Sequence, residues 1–209
     1  ATGYAVEDVL TPWYGKLAAH AVAVLLLTLI SIALARSYQQ NRIDALQMEV
    51  LAMSDQLTGL MNRRSFDTLA RARLEQDQKR ETGTAFIMID VDHFKNINDR
   101  HGHETGDAVL KEVSHAIRGS FRSTDLVCRW GGEEYLAYLP GADLRIALQL
   151  AERLRAQVEQ TDFGHGVTVT ISAGIALLQQ HDMLEDVIRR ADERLYQAKR
   201  SGRNRVCYQ

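Results

Sequence analysis

From Leu17 to Ala35 the chain runs nineteen residues without a formal charge, bounded by Lys16 and Arg36, and only His20 interrupts the apolar character. A helix of that length rises about 28 Å, close to the thickness of a bilayer's hydrocarbon core. Trp13 and Tyr14 before the run and Tyr38 after it stand where interfacial aromatics belong, and Arg36 and Arg42 favour a cytoplasmic C-terminal side. The expectation is a transmembrane helix over 17–35, N-out and C-in, with residues 1–16 as the stub of a larger extracytoplasmic sensor. Two rivals are weaker. A buried core helix would need a cover that nothing else in the first forty residues supplies. A secretory signal, imitated by Ala33-Leu34-Ala35, usually has a shorter apolar stretch and no acidic lead such as Glu7 and Asp8.

The remaining chain is long enough for one full domain, with 45% hydrophobic and 25% charged residues over the 209. A net charge of -2 provides no basic surface able to displace many counterions, which argues against a polymeric nucleic acid as substrate. Cys128 and Cys207 lie far apart with no CxxC spacing, so neither a disulfide scaffold nor a zinc site is expected, and a reducing compartment suits the domain.

Beyond the apolar run, Ile43, Leu46, Val50, Met53, Leu57 and Leu60 recur at steps of three and four, a short heptad seam that wants a partner helix. Residues 36–53 are therefore expected to be a coiled-coil linker, broken at Gly59 before a second helix with Phe66, Leu69 and Leu74 on its apolar face. A strand should follow at Ala85–Asp92, apolar on both faces and hence central in a sheet. Alternation places Asp90 and Asp92 on one face at its end. Buried carboxylates need an answering charge, either a cation such as Lys95 or a metal.

Residues His101–Asp107 read as a polar turn opening a helix with Val109, Leu110, Val113, Ala116 and Ile117 on its apolar face, and Asp107 is expected in its first turn, either facing the helix dipole or accepting hydrogen bonds from a ligand. His101 and His103 lack a third ligand at metal spacing and read as structural. Strands at Asp125–Trp130 and Glu134–Leu139 should form a hairpin around Gly131-Gly132-Glu133-Glu134, glycines permitting a tight turn and close approach of a ligand to the backbone. A helix near 142–160, a strand near Val167–Leu178, a helix near Leu184–Arg200 and an edge strand at Asn204–Tyr208 complete the chain. Lys199 and Arg203 put two cations within reach of one ligand, or are ordinary helix C-terminal charges.

Read together, Asp-Gln-Leu-Thr-Gly-Leu-Met-Asn-Arg-Arg at 55–64, Asp-Val-Asp-His-Phe-Lys-Asn-Ile-Asn-Asp at 90–99, Gly-His-Glu-Thr-Gly-Asp at 102–107, Arg-Trp-Gly-Gly-Glu-Glu-Tyr at 129–135 and Ala-Asp-Glu-Arg-Leu-Tyr-Gln-Ala-Lys-Arg-Ser-Gly-Arg-Asn at 191–204 resemble the GGDEF family of diguanylate cyclases. The resemblance covers about residues 54–209. It implies an α/β (α+β) domain like the palm of nucleotide cyclases and polymerases, with a central, mainly antiparallel sheet flanked by helices. The implied reaction joins two GTP into cyclic di-GMP with release of two pyrophosphates, one GTP per half-site across a homodimer, at the bacterial inner membrane.

Carried over by position, Asp90, the carbonyl of Val91 and Glu133 correspond to ligands of two Mg²⁺ or Mn²⁺ ions per half-site. Glu133 or Glu134 is the general base, and strand alternation implies that the two do different jobs. Asn98 and Asp107 correspond to guanine readers, which favours GTP over ATP. Lys199 and Arg203 correspond to contacts to the terminal phosphates, with Lys95, Gly131, Gly132 and the backbone after Asp92 around the same substrate. Arg122-Ser123-Thr124-Asp125 matches the family's RxxD product-inhibition site, with Arg153 as a second contributor. Tyr135 departs from the family's Phe, and its added hydroxyl must find a partner if buried. The alternative is a non-catalytic receptor that binds cyclic di-GMP through Arg122 and Asp125.

Overall fold

The computed structural model describes residues 6–80, 83–164 and 166–208. In chain order its elements are α1 (Val6–Met53), β1 (Met61–Asn62), α2 (Arg63–Arg80), β2 (Thr84–Val91), α3 (Phe94–His101), α4 (His103–Ser120), β3 (Leu126–Arg129), β4 (Glu134–Pro140), α5 (Leu144–Gln160), β5 (Ile171–Leu177), α6 (Leu184–Arg200) and β6 (Val206–Cys207). Two units emerge, one ending at Val50 and one spanning Leu51–Gln209.

In the first unit, Ala19–Gln40 has a mean hydropathy of 2.0 and is long and apolar enough to cross a membrane by length and composition. Large apolar side chains from Val24 to Leu34, among them Leu25, Leu27, Ile30 and Ile32, are about half exposed or more. Polar groups in the run bond back to their own helix, as His20 Nδ1 does to the Lys16 carbonyl at 2.6 Å and Thr28 Oγ1 to that of Leu25 at 2.7 Å. Residues 1–5 of the expected sensor stub, and the side chains of seam residues Ile43, Leu46 and Val50, lie outside the described parts.

The seam does not continue to Leu60. Helix α1 ends at Met53, and Leu60 is 5% exposed in the domain core with Leu57 packed against it. Their spacing matches the heptad, but burial in the globular domain is the larger use for the same side chains. The break therefore comes before Gly59, whose φ of 65° shapes a turn rather than ending the helix.

In the second unit, β2 lies at the middle of a six-stranded sheet of order β1-β3-β4-β2-β5-β6. Its pairings with β4 and β5 are antiparallel, as is β3 with β4, while the short edge strands β1 and β6 pair in parallel. This is the expected flanked, mainly antiparallel sheet. All eight residues of β2 are buried because helices cover both faces. Ala85, Ile87, Ile89 and Val91 meet the apolar stripes of α3, α4 and α5, whereas Phe86 and Met88 meet those of α2 and α6. Two-residue alternation gives Asp90 the second of these faces.

Three local expectations change. Phe94–His101 is a helix of its own, ended by Gly102 at φ 84°, so α4 starts at His103 and Asp107 falls past the first turn, where Glu104 stands. Strand β5 begins at Ile171, although Val167 and Val169 ahead of it are buried. The pair Met61–Asn62, too short for a periodicity to register, adds to β3 as an edge strand.

Candidate active site

Asp90 ends a wholly apolar strand and is 3% exposed. Its cation is Lys199, not Lys95: Lys199 Nζ lies 2.7 Å from Asp90 Oδ2, whereas Lys95 points to solvent on α3. Helix α6 makes this reach possible by packing directly on β5, where a Cβ on Gly174 would overlap the Ala191 carbonyl and the Leu195 amide. Burial pushes the Asp90 carboxyl up to about 6, against the hydrogen bond and charge of Lys199, and the negative charges of Glu133 and Glu134 add to the rise. Glu133 is raised too, by burial first, with Lys199 opposing and Glu134 reinforcing. Asp90 and Glu133 thus share one ammonium, with the charge of Glu134 close enough to be felt by both.

Within this group the two glutamates differ in a way that alternation does not capture. Strand β4 begins at Glu134, so Glu133 belongs to the turn and strand geometry does not set its direction. Glu134 is the residue in register with Asp90, and Glu133 joins the sheet only through its carbonyl, which accepts from the Val91 amide at 3.2 Å. The turn closes on Glu134, whose carbonyl accepts from the amides of Trp130 (2.8 Å) and Gly131 (3.2 Å). Neither glycine lies in the left-handed region; a Cβ on Gly131 would instead sit 2.5 Å from Glu134 Oε2, so this glycine makes room for the carboxylate. Glu134 also lines a cavity of about 1060 Å³ between α2 and α6, with Trp130 and Arg63, whose guanidinium stacks 4.0 Å from the indole.

Arg129 ties the hairpin to the start of the domain. It donates to the Gly132 carbonyl through Nη2 (2.6 Å) and Nε (3.1 Å), and to Asp55 Oδ1 through Nη1 (3.1 Å). Burial pushes the Asp55 carboxyl up, but hydrogen bonds from Thr58 and the charge of Arg129 outweigh it and hold it below its ordinary value. Nothing in the local sequence pairs these two residues, because 74 positions separate them. Tyr135 is fully buried on the α4 side, and its hydroxyl finds partners in the Leu110 carbonyl at 3.2 Å and Ser114 Oγ at 3.1 Å.

Asp92 shares a strand end with Asp90 but has a structural task. It accepts from Thr170 Oγ1 (2.8 Å), Ser172 Oγ (2.7 Å) and the Asn204 amide (3.0 Å). The last contact fixes the loop after α6, where Arg203 and Asn204 both adopt positive φ, 62° and 46°. Arg155 Nη1 holds Asn204 Oδ1 at 2.8 Å from the other side. Arg203 is thereby held next to the end of the helix that carries Lys199.

Between α3 and α4, Asn98 Oδ1 is buried without a hydrogen-bond partner. It lies against Gly106, where any Cβ would overlap it. Asp107, one residue on, is exposed. An unsatisfied buried acceptor is costly, and a ligand's N–H is the natural donor for it.

Residues 52–205 match the family described as diguanylate cyclase, GGDEF domain. The chain belongs to the GGDEF family. The diguanylate cyclase DosC of Escherichia coli (strain K12) is 42% identical over 156 residues, 73% of this chain and 34% of that protein. The response regulator PleD of Caulobacter vibrioides is 43% identical over 180 residues, 81% of this chain and 38% of that protein. The chain therefore spans little more than a third of the length of these relatives. Among solved structures, the coiled coil and GGDEF domain of DgcB from Caulobacter crescentus, in complex with c-di-GMP, superposes with a TM-score of 0.79 at 29% identity, covering 84% of this chain and 95% of that one.

In the loop between α4 and β3 of this GGDEF domain, Arg122 and Asp125 form a closed turn in which Asp125 Oδ2 accepts from the Arg122 amide at 2.8 Å. They line a cavity of about 450 Å³ with Gly59, Leu60, Arg118 and Phe121. Arg73 donates to the Thr124 carbonyl at 2.7 Å, and Arg153 to that of Ser120 at 2.9 Å, so two further arginines border the same loop. Arg73 and Arg118 carried no sequence signal beyond being charged.

The donor chemistry of the GGDEF hairpin suits a hard divalent cation. Asp90, Glu133 and the carbonyl of Val91 are all oxygen donors, and the carboxylates carry more negative charge than Lys199 cancels. No group of three or more His, Cys, Asp or Glu side chains forms a ready metal cage among the described residues.

Proposed function

We propose that this chain is the membrane-anchored catalytic part of a diguanylate cyclase that condenses two GTP into cyclic di-GMP across a homodimer. The observation that carries the reading is the buried Asp90 carboxylate, raised by burial and by Glu133 and Glu134, at the end of β2. In each half-step the 3′-oxygen of one GTP bonds to the α-phosphorus of the other, the bond to pyrophosphate breaks, and the hydroxyl proton leaves to a base. Asp90, the Val91 carbonyl and Glu133 would hold the divalent ions, Mg²⁺ or Mn²⁺. Such ions acidify the hydroxyl and neutralise charge on the phosphates.

The chain's own residues do the rest. Lys199 and Arg203 take the terminal phosphates, and Lys95 flanks them. Asn98 and Asp107 accept hydrogen bonds from guanine N–H groups, and the orphaned Asn98 Oδ1 supports this assignment. Glu134, at the rim of an open cavity, is the better placed of the two glutamates to take a proton, which leaves Glu133 to the metal. The cavity at Arg122 and Asp125, bordered by Arg153, is the site for product inhibition. The apolar helix anchors the chain in the bacterial inner membrane with the catalytic domain inside.

The test is direct: purified protein with Mg²⁺ and labelled GTP or ATP, products identified by mass. Cyclic di-GMP from GTP alone is expected, lost in Asp90→Asn. A dimeric preparation that makes none would point instead to a receptor binding through Arg122 and Asp125.

A further inference from the structure

We propose that Lys199 is a resident counter-ion that occupies the Asp90 carboxylate until a divalent cation and a triphosphate arrive together, so that transfer of this one ammonium makes metal and nucleotide bind cooperatively. The inference rests on the metal and phosphate reading given above and adds an order of events to it.

The geometry sets the competition. Lys199 Nζ sits 2.7 Å from Asp90 Oδ2, the oxygen-rich side of the site, with Asp90's side chain 4% exposed and that of Lys199 31%. The carboxylate is buried at the end of β2, between β4 and β5 and beside α6. Lys199, by contrast, reaches in from the last turn of α6 on a flexible four-carbon stem. The helix itself is packed so closely on β5 at Gly174 that it can come no nearer. Rotation of the lysine side chain is enough for the exchange and leaves the helix in place.

Charge decides when the exchange is favourable. A divalent ion on either oxygen of the Asp90 carboxylate lies against the ammonium's positive charge, so a bare ion either displaces Lys199 and forfeits a partly buried ion pair or binds against its repulsion. A triphosphate changes the balance by giving the displaced ammonium a new anionic partner beside Arg203. Each ligand then lowers the cost of the other, and linkage requires the effect to be reciprocal.

The experiment measures protein-bound Mn²⁺ by electron paramagnetic resonance, with and without a GTP analogue whose α–β bridge is a methylene, the Mn²⁺ held by the analogue alone being subtracted from a protein-free control. For the unaltered protein the analogue should raise Mn²⁺ affinity by roughly ten- to a hundred-fold. Lys199→Met should bind bare Mn²⁺ at least about tenfold more tightly than the unaltered protein and show a smaller rise with the analogue. Lys199→Arg, which keeps the charge, should stay as weak for bare Mn²⁺ as the parent. Unchanged bare affinity in Lys199→Met, with Mn²⁺ binding lost in Asp90→Asn in the presence of analogue, overturns the counter-ion role and leaves the metal site standing. Full Mn²⁺ binding by Asp90→Asn overturns the metal reading itself. Melting curves verify the fold of each variant, and Lys199→Gln replaces the methionine variant should that one not fold.

Discussion

Gly106→Ala separates the proposed base-reading role of Asn98 from its part in stability. In a helix interior, alanine is favoured over glycine by about 1 kcal/mol. At this position the new Cβ would overlap Asn98 Oδ1, lie 3.0 Å from Asn98 Cγ and 3.2 Å from Phe94 Cζ. The asparagine must swing away, at about 0.5–1.5 kcal/mol for a displaced rotamer, so the two effects nearly cancel and the melting temperature should move little. Binding should change, because Asn98 Oδ1 leaves the place where it can accept from guanine. Loss of one neutral hydrogen bond, about 0.5–1.5 kcal/mol, corresponds to a fall of roughly two- to twelve-fold in kcat/KM for GTP. Asn98→Ala should cost a similar factor, and the double variant should be no worse than either. Steady-state kinetics on the three variants with melting curves is the assay. An unchanged kcat/KM in a folded Gly106→Ala protein would refute the assignment of Asn98, and additive losses in the double variant would refute the steric route.

Arg129→Ala releases both Asp55 and the Gly132 carbonyl; a stability loss of about 1.5–3 kcal/mol and a drop in kcat of ten- to a hundred-fold are expected, read by denaturation and turnover. Tyr135→Phe removes a hydroxyl whose partner Ser114 keeps its own 2.6 Å bond to the Leu110 carbonyl, so a loss of about 1 kcal/mol with unchanged kcat should appear in melts and assays. Asp55, held below its ordinary 3.8, contributes stability that is complete above that pH and lost as pH falls through its lower folded value. The stability gap between the parent and Asp55→Asn should be constant near neutral pH and close below pH 3.8 in melts across a pH series.

The alternation of β2, the helical stripes of α4, α5 and α6, and the acids around the glycine turn are all written in local sequence, because each depends on a period or a turn residue. What depends on long-range packing was not legible. Leu57 and Leu60 fit a heptad equally well and went to the core instead, a choice that periodicity cannot make. Local sequence offers Lys95 as the cation for Asp90, but α6 delivers Lys199 from 109 residues away. The need for Gly131 lies in the position of the Glu134 carboxylate rather than in a left-handed turn, and that became visible only with the side chains in place.

The sequence alone determined the GGDEF motifs, the resemblance they carry over about residues 54–209, and the apolar run ahead of them, since motifs and uncharged length are properties of the chain itself. The tertiary structure decided which charges meet. It set Asp92 to anchoring the loop of Arg203, Asp55 and Arg129 to bracing the glycine turn, and Lys199 to neutralising Asp90. Electrostatic pairing falls off with distance in space, not along the chain, so only the packing of α6 and the hairpin on β2 and β5 reveals it.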